Sequence, residues 1–517
     1  MMRIALYGGS IVTSRGLRPG TIIVSGNSIE AILSPNASIP PVDRTLDCSN
    51  MLVVPGFIDA HSHDDVAATD PTICEAKIRQ GVTTVAIGMD GLGFAPLPHT
   101  WANELIQYWK PVNGSPGNLF GTSIEELRSR YTGKLILNVV MNVPHANLRI
   151  AQAGFSNRKL SREQLRKIAQ YVQESLEQGA WGLTTGLSYV PAIFADFEEL
   201  IKIMQPLQPA TRPYITHLRD YGINIFEAVN EALNIGRVLG IPVHLSHLHL
   251  SHPQMFGRAD ALVELLDRAA NEGLSITWDL YPYSAGSSVL HSYLPAWFTE
   301  GGPSAALARL KNASAIARLG NDPQFAQRDW SMVVIASTPS GRYVGCSIYD
   351  IAKDRRVTEA EAVAEILASE EFAVSCIVHQ TDPSDDDILA VHPRAMIGSD
   401  GLPYGQQPHP RYYGAFPEFF HKYVYQQRAL SLSEALNKMT GMTAKLYGLS
   451  PTRGQVTPGA VADLVVFDPL KYQSLATYEN PRKFATGVRH VLVNGEIVLD
   501  NAVYLPEKRS GQVLTCA

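Results

Sequence analysis

Cysteine is scarce in this sequence, which has five cysteines among 517 residues and no Cys-x-x-Cys pair. An odd number of widely spaced cysteines provides neither a disulfide framework nor the spacing of a structural zinc site. We therefore expect reduced thiols in a cytoplasmic chain. The five residues are Cys48, Cys74, Cys346, Cys376 and Cys516.

The chain also lacks a strong charge of one sign and a long apolar run. Its formal net charge is −6, which offers no basic surface for nucleic acid or for an anionic membrane. No apolar stretch approaches the length of a membrane span, and the N-terminal one, which breaks at Gly8-Gly9, is too short for a signal peptide. With 45% hydrophobic residues, the composition is typical of a globular protein. We expect a soluble enzyme, a monomer or small homo-oligomer, without nucleic-acid or membrane partners.

Both ends of the chain have the pattern of short β-strands. Alternating apolar residues are interrupted by glycine, asparagine and aspartate in residues 1–54 and again in 441–517. In the segment VLVNGEIVLDN, at 491–501, an Asn-Gly pair between two apolar runs predicts a hairpin. The two ends are therefore predicted to form one small β-sandwich domain.

The middle of the chain, residues 55–440, alternates apolar runs with amphipathic segments such as 163–179 and 224–240. Nearly continuous apolar strands separated by helices predict a parallel sheet that is buried on both faces. Eight such runs fit an α/β fold of the closed (β/α)8 TIM-barrel type. The runs are 52–60, 82–88, 134–141, 182–187, 212–218, 241–248, 274–283 and 394–401.

The stretch at about 287–393 is too long for one loop of a barrel, so we expect an insertion there. It contains a helical pattern in VTEAEAVAEILASEE and a strand pattern around WSMVVIA. An insertion at this position is a candidate for a lid that excludes water from a bound substrate.

Polar residues with metal-binding side chains end several of the predicted strands. In a (β/α)8 barrel the carboxyl ends of the strands form the active site, so these side chains are expected to converge. Imidazole and carboxylate are ligands for zinc and similar divalent ions. The candidates are His61, His63, Asp90, His217, His247 and Asp400.

Taken singly, each candidate has a simpler explanation. The pair His61 and His63 could belong to a polar turn, and His217 or His247 could be a hydrogen-bonded histidine of the barrel. An aspartate after a strand, such as Asp400 in GSDG, often ends a turn or caps a helix. The metal site is favoured because all of these residues fall at the same end of predicted strands. Residues outside this pattern are expected near the ligands or on the surface; they are Asp64, Asp65, His244, His249, His252, His291 and His409.

At this level of detail the chain resembles the N-acyl-D-amino-acid deacylases (D-aminoacylases) of the amidohydrolase superfamily. The resemblance runs nearly end to end and rests on many motifs in the same order. They are PGFIDAHSHDD, GVTTVAIGMDGLGFAPL, HANLR, GAWGLTTGLSYVP, YITHLRD, PVHLSHL, DLYPYSAGS, MIGSDGLP, HPRYYGAFPEF, MTGMTAKLYGL and GAVADLVVFDP.

The resemblance implies a metal-bearing barrel with a β-sandwich and assigns roles to the candidate ligands. His217 and His247 correspond to ligands of the family's tight zinc position. His61, His63 and Asp400 surround a second, weaker position. The cofactor implied is therefore one or two divalent ions, with zinc expected.

Two residues depart from the family pattern. The family usually reads GNCG where this chain reads GMDG, so Asp90 replaces a cysteine ligand. Since carboxylate is a harder ligand than thiolate, the preference could move toward Mn²⁺, Co²⁺ or Fe²⁺. The family commonly has a lysine near the substrate's carboxylate where this chain has His249, which carries less charge at neutral pH.

The mechanism implied is hydrolysis of the amide bond of an N-acyl-D-amino acid by metal-activated water. Asp400 would take a proton from that water and deliver it to the leaving amine. Arg411, assisted by Tyr283, Ser287 and His249, would bind the substrate's carboxylate. Arg411 could instead form a structural salt bridge, and Tyr281 could belong to the barrel packing.

Two other functions fit the same sequence. A cyclic-amide hydrolase, acting on hydantoins, imides or lactams, or a specialised biosynthetic amidohydrolase would keep the barrel and the metal. A metal-free scaffold would keep only the fold, but such a chain would be expected to have lost ligand residues, and apart from the cysteine replaced by Asp90 the five remaining ligand-type residues are present.

Overall fold

The computed structural model describes residues 2–13, 16–209 and 211–515, and Cys516 lies outside them. The described cysteines, Cys48, Cys74, Cys346 and Cys376, are free. Within the described part of the chain, no helix is both long and apolar enough to cross a bilayer.

Eight parallel strands in the middle of the chain form a barrel. The third strand is interrupted at Asn142: its first part pairs with the second barrel strand and its continuation with the fourth. The ring closes between the eighth and first strands, where the Ala60 N–H donates to Ile397 O (3.3 Å) and the Asp400 N–H to His61 O (2.9 Å). The predicted fold class is confirmed. From first to eighth, the barrel strands are Phe57–Asp59, Val82–Ile87, Asn138–Met141 with Val143–Pro144, Leu183–Gly186, Tyr214–His217, Val243–Leu245, Ile276–Leu280 and Ala395–Ile397.

Amphipathic helices cover the outside of these strands. The helix Arg162–Glu177 begins at a capping box between Ser161 and Gln164 and buries Leu165, Ile168 and Val172 at helical spacing. The helix Ile225–Leu239 ends at Gly240, whose φ of 64° suits a left-handed C-terminal residue. The other helices around the barrel are Pro71–Arg79, Ala102–Asn113, Ile124–Tyr131, His145–Ala153, Phe197–Met204, Ala259–Asn271, Pro383–Val391, Arg411–Phe420, Leu432–Met439 and Gly441–Leu446.

Both ends of the chain contribute to one nine-stranded sheet. Alternate residues face different cores: Leu464 and Val466 lie in the cluster enclosed by the sheet, whereas Val465 and Phe467 pack against the barrel. The predicted hairpin is confirmed, because Val493 pairs with Glu496 across Asn494-Gly495. The strands are Arg3–Thr13, Gly16–Ser25, Ser28–Leu33, Arg44–Asp47, Leu52–Pro55, Leu464–Phe467, Val488–Val493, Glu496–Asp500 and Val503–Tyr504, while Val513–Leu514 pairs with the third barrel strand.

The segment between the seventh and eighth barrel strands has an antiparallel sheet and an apolar core of its own. Its strands are Ala285–Val289, Val333–Ser337 and Ser375–His379, with the last in the middle. The predicted helix is confirmed as Glu359–Ser369 and the predicted strand as Val333–Ser337. The domain boundaries at 54, 287, 393 and 440 stay a prediction. The remaining helices are Ala296–Thr299, Gly302–Leu310, Ala313–Gly320, Pro323–Ala326 and Ile348–Arg355.

The helix Pro383–Val391 carries a buried carboxyl group, that of Asp386, in a short hydrogen-bond chain. Thr381 Oγ1 lies 2.8 Å from Ser284 O and 2.7 Å from Asp386 Oδ2. Since a hydroxyl has one proton, Thr381 shares it between two acceptors, Ser284 O and Asp386 Oδ2. Burial raises the pKa of Asp386 to about 7, although Thr381 and Lys422 act to lower it.

Candidate metal centre

Six side chains meet at the carboxyl end of the barrel, and all six were predicted from the sequence. Each lies at the end of a barrel strand or a few residues beyond it, where successive strands deliver their side chains to one mouth. They form two groups whose ligand atoms lie within 4.8 Å of one another, and Asp90 belongs to both. One group is His61, His63, Asp90 and Asp400; the other is Asp90, His217 and His247.

Asp90 lies between the two groups and presents one oxygen atom to a histidine of each. Its Oδ1 is 3.5 Å from His61 Nε2 and 3.7 Å from His247 Nε2. Its Oδ2 is 3.6 Å from His63 Nε2 and 3.8 Å from His217 Nδ1. A carboxylate in this position can bridge two cations.

Asp400 completes the first group. Its Oδ1 lies 3.2 Å from His63 Nε2 and 3.7 Å from His61 Nε2. Its Oδ2 forms an ion pair with Arg411 Nη2 at 2.9 Å. One carboxylate oxygen therefore faces the histidines and the other is held by a buried guanidinium.

The donor atoms fit a divalent cation. Among the described residues, neither ring nitrogen of the fully buried His61 has a hydrogen-bond partner, and Asp90 Oδ1 has none. Buried polar atoms are rarely left without partners, because each costs about 1–3 kcal/mol. His217 Nδ1 and His247 Nε2 face each other at 3.0 Å, as two ligands of one ion would. Imidazole nitrogens and carboxylate oxygens are ligands for Zn²⁺ and neighbouring divalent metals.

Burial and the neighbouring carboxylates together set the pKa values of the histidines in the centre. Burial alone would lower the pKa of His63, but its hydrogen bonds to Asp400 and Asp90 outweigh burial and raise the pKa to about 9. Burial lowers the pKa of His217 to about 3, with Asp90 opposing, so this imidazole is neutral as a metal ligand must be. The proton on His63 lies where the carboxylates attract positive charge, so a cation bound there competes with it.

Three of the six residues have left-handed backbone conformations that side chains other than glycine rarely adopt. The φ angles are 55° at Asp90, 33° at His247 and 46° at Asp400. Such conformations cost about 1–3 kcal/mol each and concentrate at functional sites. The loops after the second, sixth and eighth strands are thus held in shapes that direct these side chains inward.

Several supporting residues were not predicted from the sequence. Asn113 Oδ1 lies 3.1 Å from His63 Nδ1, and Ser188 Oγ lies 2.8 Å from His217 Nε2. The fully buried Asp279 of the seventh strand accepts the His247 N–H at 2.9 Å. Its other oxygen lies 2.8 Å from His244 Nε2 and 3.5 Å from His61 Nδ1. The aspartate inside the apolar run SITWDLY was the one available signal.

Arg411, the predicted carboxylate ligand, is fully buried beside the metal centre. Besides its ion pair with Asp400, its Nη2 donates to Ser287 O at 3.3 Å, so Ser287 contributes its carbonyl oxygen. The guanidinium lies over the ring of Tyr281 at 4.3 Å. Among the described residues, Arg411 Nε and Nη1 have no hydrogen-bond partner.

The other two predicted substrate residues lie differently. Tyr283 packs edge-on against His409 at 5.3 Å, and it is Tyr281 that contacts Arg411. His249 lies beside the centre, with Nδ1 2.6 Å from His247 O. Burial, aided by the neighbouring His247, lowers the pKa of His249 to about 3, so its ring is uncharged.

The remaining histidines bind other parts of the fold. His409 Nε2 donates to Ala285 O at 2.9 Å, which ties the eighth-strand loop to the segment after the seventh strand. His291 is buried against Tyr108, with ring centroids 4.5 Å apart. His252 accepts the Gln254 N–H.

Comparison with known proteins identifies the family. The chain is 31% identical to D-aminoacylase of Alcaligenes xylosoxydans xylosoxydans over 99% of its length and 97% of the relative's. It is 33% identical to N-acyl-D-aspartate deacylase of the same organism over 98% and 94% of the two chains. The chain belongs to the D-aminoacylase family. Residues 391–499 also match the model of the amidohydrolase family.

Solved structures of D-aminoacylase family members cover the whole chain. A D-aminoacylase with a binuclear metal centre matches with a TM-score of 0.85 at 30% identity, over 100% of both chains. An N-acyl-D-glutamate deacylase from Bordetella bronchiseptica, complexed with zinc and a phosphonate mimic of the tetrahedral intermediate, matches with a TM-score of 0.84 at 29% identity, again over 100% of both chains. Members of the family are thus metal-dependent hydrolases of linear amides, and this chain has the residue groups to bind metal.

Proposed function

We propose that this protein is a metal-dependent amidohydrolase that cleaves the amide bond of an N-acyl-D-amino acid. The observation that carries the proposal is the pair of ligand groups sharing Asp90 at the mouth of the barrel. The near full-length similarity of the chain to D-aminoacylase and N-acyl-D-aspartate deacylase supports this substrate class.

Charge balance supports two divalent ions. Apart from Asp65, whose pKa burial raises to about 7, five buried carboxylates contact the ligand segments or belong to them. With the ligand histidines neutral, as metal binding requires, Lys77 and Arg411 are the buried cations beside these carboxylates among the described residues. This leaves an excess of three negative charges. One divalent ion brings two positive charges and would not balance that excess. Bound there, such an ion supplies Lewis-acid polarisation of the acyl carbonyl and activation of water. The five carboxylates are Asp59, Asp64, Asp90, Asp279 and Asp400.

Asp400 is the residue we assign to proton transfer. Burial opposes its ionisation, but Arg411 together with His247, His63 and His61 outweighs burial and keeps the pKa of Asp400 well below its ordinary value. Asp400 therefore enters the reaction as a carboxylate, with Oδ1 directed toward the ligand histidines. In that state it accepts the proton of the attacking water and then returns it to the leaving amine.

Arg411 is the residue we assign to the substrate's carboxylate. Among the described residues its Nε and Nη1 have no hydrogen-bond partner, so each has N–H groups free to donate to a carboxylate oxygen of the substrate. Tyr281 fixes the guanidinium plane from below. Since His249 is uncharged, Arg411 carries the positive charge for this contact. Ser287 and Tyr283 are assigned to the wall of the same subsite.

We assign the insertion the role of a lid over the site. Its first strand, Ala285–Val289, contacts the site directly through the bonds of His409 to Ala285 O and of Arg411 to Ser287 O. Closure over the substrate would exclude bulk water and strengthen the charge interactions inside.

We also propose which ion is bound, in which cellular compartment the protein works and how many copies of the chain assemble. Zinc is supported by the zinc-bound relative, whereas the carboxylate of Asp90 also suits Mn²⁺, Co²⁺ or Fe²⁺. Free Cys48, Cys74 and Cys376, all buried, support a reducing compartment such as the cytoplasm. We expect the protein to be a monomer or a small homo-oligomer, which light scattering would test.

The test is a substrate panel assayed with metal-loaded, chelated and Asp400→Asn protein. We expect hydrolysis of N-acyl-D-amino acids by the loaded wild type alone. The Asp400→Asn protein should lose activity while Asp90, His217 and His247 still bind one ion. Hydrolysis of hydantoins or imides without activity on acyl amino acids would favour the cyclic-amide reaction. Equal inactivity of all three proteins would favour a scaffold.

A further inference from the structure

A fully buried lysine lies behind the first metal-ligand group. Lys77 is on the helix Pro71–Arg79 and is 0% exposed. Its Nζ lies 2.5 Å from Asp59 Oδ2, 3.2 Å from Asp64 Oδ2 and 2.7 Å from Ser399 Oγ. The charges of Asp59 and Asp64 outweigh the effect of burial and raise the pKa of Lys77, so the side chain is an ammonium ion.

The partners of Lys77 belong to two different ligand loops. Asp59 and Asp64 flank the His61–His63 pair in the first-strand loop, while Ser399 immediately precedes Asp400 in the eighth-strand loop. Lys77 therefore holds both loops through one nitrogen atom.

Two further contacts strengthen this connection. Asp59 Oδ1 accepts the Ser399 N–H at 2.8 Å and the His61 N–H at 3.3 Å. Tyr412 Oη donates to Asp64 Oδ1 at 2.8 Å, and its ring lies under the Lys77 ammonium at 4.9 Å. The two hydrogen bonds of the ammonium, to Asp59 and Ser399, and its ion pair with Asp64 thus all lie within this network.

Stability alone is a weak reason for such a network. Removing an ammonium and two carboxylates from water costs about as much as their attraction returns, and apolar replacements of similar volume are often neutral. The network instead lies where it fixes the relative position of His61, His63 and Asp400. Contacts behind a metal ligand typically change metal affinity by about 10–100-fold.

We propose that Lys77 is a positioning residue for the metal position formed by His61, His63 and Asp400. The inference rests on the proposed metal-dependent function and names the device that assembles one of its two ion positions. Lys77 touches none of the ligands; it acts through Asp59, Asp64 and Ser399. The other group, with His217 and His247, is independent of it.

The chain contains a matched control for loss of a buried lysine. Lys438 is 3% exposed and its Nζ donates to Ala395 O at 2.9 Å and to His392 O. These carbonyls lie at the amino end of the eighth strand, remote from the ligand loops. Loss of Lys438 therefore tests destabilisation without disturbing the metal position.

The experiment measures both metal affinities by Zn²⁺ titration against a competing chelator in wild type, Lys77→Met and Lys438→Met. We expect Lys77→Met to weaken one of the two sites by about 10–100-fold and to leave the other within about threefold. Lys438→Met should lower the unfolding temperature and leave both affinities unchanged. Equal affinities in wild type and Lys77→Met would overturn the proposal, and so would equal weakening by both variants.

A milder variant keeps the test decisive if Lys77→Met does not fold. Ser399→Ala removes the contact of Lys77 with the eighth-strand loop and retains both ion pairs. We expect a several-fold loss at the same single site, and no loss would overturn the proposal. A wild-type protein that binds none of Zn²⁺, Mn²⁺, Co²⁺ and Fe²⁺ would instead refute the proposed function, so the two failures are distinguishable.

Discussion

The substitution Asp90→Asn should weaken both metal positions at once. Asparagine has nearly the size of aspartate, so the loop after the second strand keeps its shape, but the charge is lost and one oxygen becomes an NH₂ group. An NH₂ group donates hydrogen bonds and cannot bind a cation. Each carboxylate oxygen of Asp90 faces one histidine of each group, so neither orientation of the amide preserves a complete group.

The expected loss of metal affinity in Asp90→Asn can be estimated because the substitution removes a direct ligand of both positions. Loss of a residue behind a ligand costs about 10–100-fold in affinity, and loss of a direct ligand should cost at least the upper value. We therefore expect a loss of at least about 100-fold, or about 2.7 kcal/mol, at each of the two positions. The buried negative excess around the centre also falls from three to two, which weakens attraction for a second ion.

The assay is Zn²⁺ titration against a competing chelator, with His63→Asn as the matched control. His63 belongs to one group only, so its loss should weaken one position and spare the other. The reasoning is refuted if Asp90→Asn loses a single position as His63→Asn does, because Asp90 would then not be shared.

Three further predictions concern metal choice, substrate recognition and pH. Asp90→Cys should raise the preference for Zn²⁺ over Mn²⁺, measured as the ratio of their affinities; an unchanged ratio would contradict the assignment of Asp90 as a ligand. Arg411→Lys should raise KM for an N-acyl-D-amino acid about 10–100-fold, since it loses the planar donor pair, with little effect on the corresponding amide that lacks a carboxylate. Asp386→Asn should raise the unfolding temperature at pH 8 and change it little at pH 4. The folded pKa of about 7 exceeds the ordinary 3.8, so the wild type loses stability as pH rises through this interval. An equal change in unfolding temperature at pH 8 and pH 4 would contradict this role of the Asp386 carboxyl group.

Much of the fold could be predicted because the strands of a parallel barrel are buried on both faces and therefore appear as apolar runs. The same regularity located His217, His247 and Asp400, since a strand end specifies a place in the barrel. The hairpin at Asn494-Gly495 could be predicted because two residues with positive φ, 50° and 80°, form its turn.

The supporting residues could not be predicted because their roles depend on neighbours distant in sequence. Asp279 is 218 positions from His61, and Lys77 is 322 positions from Ser399. Local patterns do not specify such contacts. The two tyrosines of DLYPY illustrate the limit: the motif offered Tyr281 and Tyr283 equally, and the backbone after the seventh strand brings Tyr281 to Arg411.

The central claim, a metal-dependent and stereoselective deacylase, is tested most directly by one measurement on a racemic N-acyl amino acid. Metal-loaded and chelated protein are each incubated with the racemate, and the free amino acid released is resolved by chiral chromatography. We predict that the loaded protein releases the D-amino acid and leaves the N-acyl-L-amino acid intact. We also predict that chelation abolishes this release and that added Zn²⁺ restores it. Release of both enantiomers, or equal release after chelation, would contradict the account.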